Sequence, residues 1–326
     1  MTGPRKQFQQ YLKKLEDGFS GRISERAPMK RHTTFRIGGF AEVMVWPASR
    51  LELERAAALA DSMGLPWRII GAGSNLLVLD GGLDEVLINL SDLREEAGTA
   101  DAETGLVVEE LAAGGGTEKL VRLSAGSRLT WAVKLCQERG LAGLEFAAGI
   151  PGSVGGAAIM NAGSQGSCMA EVIHFVEWMR PGKKPERKSR AELDYQYRRL
   201  NRPGDVVVTA VGLRLAEDDP KKIRERIVRG LKWRRQHQPL SYPSAGSVFK
   251  NPEGDYAGRL IEEAGLKGRR LGDAQISELH ANFIVNRGRA RSREVIELID
   301  LARESVLKKF GLELELELEI IGKELS

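Results

Sequence analysis

Two short apolar runs joined by a glycine-bearing loop restrict the fold of this chain more than any other feature. Trp67 to Ile70 is predicted as a strand that continues into the loop 71–76 and a second apolar run ending at Val78. A dinucleotide-binding fingerprint requires a helix after its glycines and a third glycine, which Leu76 does not supply. The β-loop-β pattern therefore disfavours a Rossmann domain.

A second glycine-rich stretch runs from Gly143 to Gly166. Glycine lacks a Cβ atom and tolerates positive φ, so successive N–H groups in residues 149–156 could converge on a phosphate. Pro151 would stiffen this turn. An isolated cluster of this kind is more often a tight loop between two packed elements, so its interpretation depends on the rest of the chain.

Length and composition are those of an ordinary globular protein with two or three domains. The chain has 326 residues, of which 42% are hydrophobic and 29% charged, and its formal net charge is +4. Domains average roughly 150 residues. Because basic and acidic residues are interspersed, the small positive excess favours an anionic small ligand only weakly, and nucleic acid is not indicated.

The cysteines, the histidines and the N-terminus argue against several classes of protein. Cys136 and Cys168 have neither metal-binding nor redox spacing and give no disulfide framework, which fits a cytoplasmic protein. Residues 1–12 lack the apolar region of a secretory signal, and no apolar run approaches the roughly 18 residues of a membrane span. The four histidines show no helical i, i+4 pairing, so no metal site is expected.

Apolar periodicity predicts the main elements of the chain. The final segment, Leu312 to Ile321, alternates glutamate with apolar residues and is predicted as a strand with one wet or functional face. Predicted strands also cover Ala41 to Trp46, Val86 to Leu90, Ile173 to Met179, Asp205 to Leu215 and Asn282 to Asn286. Predicted helices cover 4–18, a segment capped by Ser49 and ended by Gly64, Leu129 to Arg139, Lys221 to about Gln236, Tyr256 to Ala264, and Ser292 to Phe310.

Six short motifs follow one another along the chain: 34–39 (Thr-Phe-Arg-Ile-Gly-Gly), 71–76, 149–156 with Asn161-Ala162-Gly163, Tyr197-Arg198, 246–252 (Gly-Ser-Val-Phe-Lys-Asn-Pro) and 317–322 (Glu-Leu-Glu-Ile-Ile-Gly). Each is weak alone. Because all six motifs occur in this order, the chain resembles the UDP-N-acetylenolpyruvoylglucosamine reductase family over nearly its whole length. These flavoenzymes make UDP-N-acetylmuramate for bacterial peptidoglycan, and hence serve cell shape and division. The short segment between Arg198 and Ser247 is similar to the branch without an additional substrate-covering tyrosine loop.

The resemblance implies an α+β fold, with a vanillyl-alcohol-oxidase/PCMH-type FAD-binding domain of two subdomains and a smaller α+β substrate-binding domain. The first subdomain would span 1–92 and be joined by the C-terminal strand 312–326, the second would span 93–216, and the substrate domain 217–311. Both glycine loops would face the FAD pyrophosphate through bare backbone N–H groups. The expected FAD-binding residues are Gly71, Ala72, Gly73, Ser74, Asn75, Leu76, Gly149, Ile150, Pro151, Gly152, Ser153, Gly155, Gly156, Asn161 and Gly163.

The resemblance also implies the reaction. NADPH would reduce the flavin, and UDP-N-acetylglucosamine enolpyruvate would then take the hydride at its terminal vinyl carbon. The protein must stabilise an enolate-like charge on the pyruvyl carboxylate and supply a proton to the adjacent carbon. These two requirements identify the side chains to look for.

Arg198 matches the catalytic arginine of the family, and a planar guanidinium suits a carboxylate whose charge grows in the transition state. The residues alone do not separate Arg198 from Arg199, and an ordinary surface ion pair is an equal alternative. The resemblance aligns the family motif on Tyr197, and this places Arg198 at the position of the catalytic arginine.

Ser247 matches the proton donor of the family. A serine hydroxyl is a weak acid, so this role requires a strongly basic enolate and close positioning. Without the resemblance, Ser247 would be interpreted as a turn residue.

Glu317 matches the catalytic glutamate of the family. A register slip of two residues would substitute Glu315 without disturbing the apolar pattern, because the glutamates at 313, 315, 317 and 319 share one face. Clustered carboxylates raise one another's pKa, so one buried member could stay protonated and donate to the developing charge. A solvated edge strand is the alternative for the other three.

Three further residues match family positions that contact the substrate. Asn251 matches a substrate contact, and Lys267 and His280 match contacts to the nucleotide diphosphate region in some relatives. The alternatives are a solvated lysine in a turn and a packed histidine at the end of a helix.

Two other functions stay open on the residues alone: a flavin oxidase of the same FAD-binding superfamily and a non-catalytic nucleotide-binding module. The oligomeric state is left open.

Overall fold

The computed structural model describes residues 3–93, 107–110 and 118–325. The helices are α1 Gly3–Glu16, α2 Arg50–Ser62, α3 Leu129–Glu138, α4 Val154–Ile159, α5 Met169–Val172, α6 Pro220–His237, α7 Ala257–Glu263 and α8 Ser292–Phe310. The strands are β1 Arg22–Pro28, β2 Phe40–Trp46, β3 Trp67–Ile70, β4 Leu76–Val78, β5 Leu83–Asn89, β6 Val107–Glu110, β7 Glu118–Ser124, β8 Leu141–Ala142, β9 Gly163–Ser164, β10 Ser167–Cys168, β11 Ile173–Met179, β12 Glu186–Ser189, β13 Asp194–Gln196, β14 Arg199–Asn201, β15 Val207–Glu217, β16 Arg270–Leu271, β17 Ala274–Ile276, β18 Ile284–Asn286 and β19 Glu319–Ile321.

The chain divides into two compact units. Unit 1 comprises Met1–Ser24, Val43–Ala72 and Val86–Lys232, and unit 2 comprises Glu25–Glu42, Gly73–Glu85 and Trp233–Ser326. The chain therefore passes from one unit to the other inside the first glycine loop, between Ala72 and Gly73. The division into three parts implied by the family resemblance stays a prediction.

An antiparallel sheet around β15 forms the centre of unit 1. Its strand order is β12-β11-β15-β7-β6, and β8 pairs with the end of β15. β15 pairs antiparallel with β7, with Ala210 opposite Ser124 and Ala216 opposite Glu118. All residues from 207 to 213 are buried, as expected for a continuous apolar run in a central strand. The core of the unit includes Val121, Leu123, Leu129, Val154, Val176 and Val211.

The N-terminal helix and β3 complete unit 1. α1 buries an apolar stripe that includes Tyr11, whose hydroxyl donates to the Ala56 carbonyl of α2 at 3.1 Å. α2 starts after Ser49, whose hydroxyl accepts from the Glu52 amide at 3.2 Å, which is an N-cap. The Glu52 carboxylate accepts from the Ala48 amide rather than from that of Ser49, so the predicted cap by Ser49 forms without a full capping box. β3 and β5 pair in parallel in a sheet of order β1-β2-β5-β3.

Unit 2 consists of a small antiparallel sheet and two helices. Its sheet has the order β16-β17-β18, and its core is formed with α7 and α8. α8 covers the predicted residues and ends at Gly311, which has a φ of +67°, the left-handed conformation common after a helix. β19 pairs in parallel with β4, with Glu319 opposite Leu76 and Ile321 opposite Val78.

The predicted long C-terminal strand is largely wrong. Only Glu319–Ile321 is a strand, although the prediction extended over Leu312 to Ile321. The preceding residues pair with the segment 248–250 instead, through an isolated bridge between Phe249 and Leu316. Because the segment changes partner before Glu319, its alternating sequence does not produce one continuous ladder.

Candidate active site

The first glycine loop leaves successive amides available. Gly73 has a φ of +61°, and a Cβ atom there would lie 2.1 Å from the His32 carbonyl oxygen, so only glycine fits. The Gly73 carbonyl accepts from the Thr34 amide at 3.1 Å. Among the described residues, the amides of Ala72, Gly73 and Ser74 donate to no protein acceptor. Three consecutive donors are therefore unused.

The second glycine loop differs from the sequence-based expectation. Gly149 and Gly152 have φ values of +77° and +141°, as the glycines require, but α4 begins directly after Ser153. The Gly155 amide donates to the Ala125 carbonyl at 2.8 Å, and the Gly156 amide to the Ser153 hydroxyl at 3.2 Å. These two amides are therefore not bare, because the Ser153 cap of α4 uses the Gly156 amide and the Ala125 carbonyl uses the Gly155 amide.

The remaining amides of the second loop are available for a ligand. In the part of the chain that the structure describes, the amides of Gly149, Gly152 and Ser153 have no protein acceptor. Between them lies Pro151, which has no N–H group, and the Ile150 amide donates to the Ala147 carbonyl at 3.0 Å.

Within unit 1 the two loops approach one another. A Cβ atom at Gly71 would lie 2.6 Å from the Ser153 hydroxyl oxygen. The Gly71 carbonyl also accepts from the Asn89 side chain at 3.1 Å, which fixes this end of the loop. Unused amides next to glycines fit the phosphate oxygens of a dinucleotide such as FAD, whose diphosphate needs several donors at close range.

Arg198 lies in a strained turn of unit 1. β13 and β14 pair with Gln196 opposite Arg199, so Tyr197 and Arg198 form a two-residue connection. Arg198 has a φ of +57°, which costs a non-glycine residue about 1–2 kcal/mol. Such strain is concentrated at functional sites. Arg199 lies in the strand and is exposed, so the backbone distinguishes the two arginines that the sequence did not.

The Asn161-Ala162-Gly163 motif supports this turn. The Asn161 side chain donates to the Gln196 carbonyl at 2.9 Å and accepts from the Ala170 amide at 3.0 Å. A Cβ atom at Gly163 would lie 3.1 Å from Nη1 of Arg198, so glycine lets the guanidinium approach the motif closely. Asn161 and Gly163, expected at the flavin, thus also position Arg198.

Ser247 lies in a loop of unit 2 that pairs with the C-terminal segment. The Val248 carbonyl accepts from the amides of both Glu317 and Leu318, at 2.9 and 3.2 Å. Glu317 and Leu318 thus both lie opposite Val248, which is the pattern of a β-bulge. Bulges fix the register of a strand pair and redirect side chains next to active sites. Glu317 therefore lies beside the Ser247 loop by a fixed backbone register.

Burial also separates the four glutamates. Glu317 is half-buried, whereas Glu313, Glu315 and Glu319 are exposed. The Glu315 side chain is 73% exposed and forms an ion pair with Lys250. The geometry therefore favours Glu317 over Glu315, the alternative that a slip of two residues would have allowed.

Two polar residues of unit 2 link the motifs of this region. The Asn75 side chain donates to the Glu317 carbonyl at 2.8 Å, and the Glu319 amide donates to the Asn75 carbonyl at 3.1 Å. The Thr34 hydroxyl donates to the Ser244 carbonyl at 2.7 Å, three residues before Ser247. The first glycine loop, the Thr34 turn and the Ser247 loop are thus one hydrogen-bonded assembly.

The three substrate-contact candidates lie around α7. The side-chain oxygen Oδ1 of Asn251 accepts a hydrogen bond from the Ala257 amide at 3.1 Å. A Cβ atom at Gly258 would lie 3.0 Å from Cε1 of His280. Lys267 follows the helix and pairs with Glu262 at 2.7 Å. Asn251 and His280 therefore flank the first turn of α7, and Lys267 is already partnered.

His280 is held in its neutral form. The Asn282 amide donates to Nδ1 at 3.2 Å, so the ring proton is on Nε2. Burial, the largest effect, lowers the pKa of His280, and the positive charges of Lys267 and His237 lower it further, against the opposing effects of a hydrogen bond with its own backbone and of Glu262. The imidazole can therefore donate one hydrogen bond through Nε2 without carrying charge.

Sequence reasoning missed the positioning residues. Thr34 and Asn161 lie inside quoted motifs, but their hydrogen bonds to distant carbonyls depend on the fold and leave no local signal.

Among the described residues, no group of three or more His, Cys, Asp or Glu side chains could hold a metal ion. In the same part of the chain, no helix is long and apolar enough to span a bilayer.

Comparison with protein families gives two matches. Residues 41–182 match the FAD binding domain, and residues 238–321 match the C-terminal domain of UDP-N-acetylenolpyruvoylglucosamine reductase. The second match includes Ser247 and Glu317. The predicted α+β fold with an FAD-binding domain is confirmed.

Curated relatives and a solved structure agree with these matches. UDP-N-acetylenolpyruvoylglucosamine reductase of Moorella thermoacetica is 42% identical over 311 residues, which cover 95% of this chain and 96% of the relative. UDP-N-acetylenolpyruvoylglucosamine reductase 2 of Symbiobacterium thermophilum is 44% identical, covering 93% of both. The crystal structure of the Thermus caldophilus reductase is 36% identical, with a TM-score of 0.73 over 93% of this chain and 99% of that one.

Proposed function

This chain belongs to the UDP-N-acetylenolpyruvoylglucosamine reductase family, the flavin-dependent oxidoreductases of peptidoglycan precursor synthesis, and we propose that Arg198, Ser247 and Glu317 carry its reaction. The substrates are small molecules. In our proposal they are NADPH and UDP-N-acetylglucosamine enolpyruvate, and the product is UDP-N-acetylmuramate. The observation that carries the site assignment is the bulged pairing of Val248 with Glu317 and Leu318.

FAD is the cofactor of this reaction. When bound, it supplies the redox chemistry by taking two electrons from NADPH and delivering them to the enolpyruvyl group. We propose that its diphosphate binds to the unused amides of Ala72, Gly149, Gly152 and Ser153. Gly155 contributes by allowing α4 to start close to Ala125, and the amides of Gly155 and Gly156 donate within the protein rather than to the diphosphate.

Arg198 binds the carboxylate of the substrate in this proposal. Its guanidinium can donate two parallel hydrogen bonds, and these strengthen as negative charge moves onto the carboxylate. The strained backbone at φ +57° and the support of Asn161 hold the side chain before the substrate arrives. Preorganised donors stabilise developing charge without reorganising at the moment of reaction.

Ser247 donates the proton to the carbon next to the carboxylate. Its backbone is held by an isolated bridge to Phe283, and the Val248 amide donates to the Asn282 carbonyl at 2.9 Å. A weak acid is effective against a strongly basic enolate only when it is held at the reacting carbon. The bonds on both sides of the loop support that requirement.

Glu317 assists at the carboxylate end in this proposal. Its half-buried position beside the Ser247 loop, together with the bond from Asn75 to its carbonyl, supports a defined role. Asn251 and neutral His280 are proposed to donate hydrogen bonds to the nucleotide part of the substrate. We also propose that the protein is cytoplasmic, because Cys136 and Cys168 are both free thiols, as is usual in a reducing compartment.

A two-stage experiment tests the function. NADPH added anaerobically to the yellow protein should bleach the flavin absorbance, and UDP-N-acetylglucosamine enolpyruvate should then restore it. UDP-N-acetylglucosamine, which lacks the enolpyruvyl group, is the matched control and should leave the flavin bleached. A colourless protein, or a flavin that NADPH does not bleach, would contradict the function, and fast reoxidation by oxygen alone would favour an oxidase.

A further inference from the structure

Arg128 lies directly against the second glycine loop. It precedes α3 and has an extended backbone, with φ −66° and ψ 130°. The Leu129 amide donates to the Gly152 carbonyl at 3.0 Å, and the Val154 amide donates to the Ser127 carbonyl at 2.9 Å. These two bonds make Arg128 and Ser153 partners in an isolated antiparallel bridge.

The kind of bridge determines where the Arg128 side chain begins. Both hydrogen bonds come from the neighbours of Arg128 and Ser153, so the two residues form a non-hydrogen-bonded pair. Side chains in such a pair lie on the same face, about 4.5 Å apart at Cα. The Ser153 hydroxyl lies 2.6 Å from the position of a Cβ atom at Gly71. Arg128 therefore projects from the face on which the two glycine loops meet.

The guanidinium of Arg128 is not used by any of the residues that the structure describes. The side chain is exposed, and among the described residues it has no hydrogen-bond or ion-pair partner. Two other arginines of unit 1 are neutralised, since Arg122 pairs with Glu177, and Arg226 pairs with Glu145 and Asp218. An unpaired cation beside unused amides suits an anion, and a guanidinium is suited to phosphate.

We propose that Arg128 binds the diphosphate of FAD and adds a side-chain charge to a site otherwise made of backbone amides. This inference rests on the proposed position of the diphosphate at the glycine loops. It names a residue in no quoted motif, and it predicts that part of the affinity for FAD depends on salt.

Flavin titration into the flavin-stripped full chain tests the proposal, with fluorescence quenching as the measurement. Arg128→Gln should weaken FAD binding about tenfold, which corresponds to one charge-assisted hydrogen bond. Its FAD affinity should also depend less on salt. Arg128→Lys, which keeps the charge, should recover part of the loss. Riboflavin lacks phosphate, so both variants should bind it like the unchanged protein.

Lys134→Gln is the matched control, because it removes one positive charge from α3, the helix that Arg128 precedes. The Lys134 side chain is 72% exposed and pairs with Glu138, so this change should leave FAD affinity within about twofold. Equal loss in the Lys134 variant would mean that Arg128 acts only through net charge. If the Arg128 variants lost as much affinity for riboflavin as for FAD, the effect would be structural. Either result would overturn the proposal.

Gly71→Ala separates this inference from the position of the diphosphate. The added Cβ would press on Ser153, so FAD affinity should fall while far-ultraviolet circular dichroism is unchanged. If Gly71→Ala weakens FAD binding and Arg128→Gln does not, the Arg128 contact is wrong and the position stands. Unchanged FAD affinity in both variants would overturn the position and the contact together.

Discussion

The Arg198 turn and the Ser247 loop hold their proposed catalytic groups in different ways. Arg198 lies in a left-handed backbone conformation at the tip of a two-residue connection, and its turn is supported by Asn161. Ser247 and Glu317 lie in segments joined by backbone hydrogen bonds through Val248. At Arg198, a strained backbone conformation orients a long and flexible side chain. At Ser247 and Glu317, the register of backbone hydrogen bonds fixes the position of shorter side chains. Substitutions should therefore separate activity from stability differently in the two regions.

Ser247→Ala should have the largest effect on turnover. Loss of a positioned proton donor typically costs 10²–10⁴-fold, and the backbone bonds around the loop do not involve the hydroxyl. Stopped-flow measurement should show NADPH bleaching the flavin at nearly the original rate, with reoxidation by the enolpyruvyl substrate greatly slowed. Equal slowing of both half-reactions would contradict the role of Ser247 as proton donor.

Arg198→Lys should follow, with a loss of about 10²–10³-fold in turnover, because lysine cannot make two parallel hydrogen bonds to a carboxylate. Arg199→Lys is the matched control, since Arg199 is exposed in the adjacent strand. Its turnover should stay within about twofold. Steady-state kinetics with the enolpyruvyl substrate compares the two variants, and a greater loss at Arg199 would reverse the assignment.

Glu317→Gln should slow transfer to the substrate by about 10²-fold, whereas Glu315→Gln should be nearly neutral. Glutamine keeps the volume of the side chain and removes its acid and its charge. Glu315 loses only an exposed ion pair with Lys250, and such pairs contribute about 0–1 kcal/mol. Single-turnover reoxidation of the reduced protein measures both variants. The greater loss at Glu315 would show that the bulge does not select the catalytic carboxylate.

The Arg198 turn also predicts opposite effects on stability for two neighbouring residues. Arg198→Gly should raise the free energy of unfolding by about 0.5–1 kcal/mol while lowering turnover, because glycine relieves the strain at positive φ. Arg199→Gly, within β14, should lower it by about 0.5–1 kcal/mol. Urea unfolding of both variants tests the comparison. A lower stability for the Arg198 variant than for the Arg199 variant would show that the contacts of the arginine outweigh its backbone strain.

The sequence predicted most helices and strands and the positive φ of Gly149 and Gly152, because apolar periodicity and glycine act locally. The family resemblance pointed to Glu317 but left Glu315 as an alternative, since period-two alternation leaves the register free until Val248 pairs with both Glu317 and Leu318. It also predicted bare amides at Gly155 and Gly156, which the capped start of α4 uses. Arg128 carries no local signal at all, because its relation to Ser153 is a contact between distant segments.

The smallest expected effect concerns His280 and the pH dependence of stability. Burial lowers the pKa of His280 below that of an unfolded histidine. In the interval between these two pKa values, the unfolded chain binds a proton that the folded chain does not. The free energy of unfolding should therefore decrease as the pH falls through this interval and be unaffected by His280 above it.

His280→Gln tests this contribution, because glutamine does not titrate and can still accept a hydrogen bond from the Asn282 amide. The variant should lose less stability than the unchanged protein between about pH 7.5 and about pH 5.5, on either side of the ordinary histidine pKa. His174→Gln in β11, outside unit 2, is the matched control. Urea unfolding at both pH values measures the difference. If the two variants show the same pH dependence, the neutral state of His280 is not maintained by its burial, and its proposed role as an uncharged donor to the nucleotide loses its physical basis.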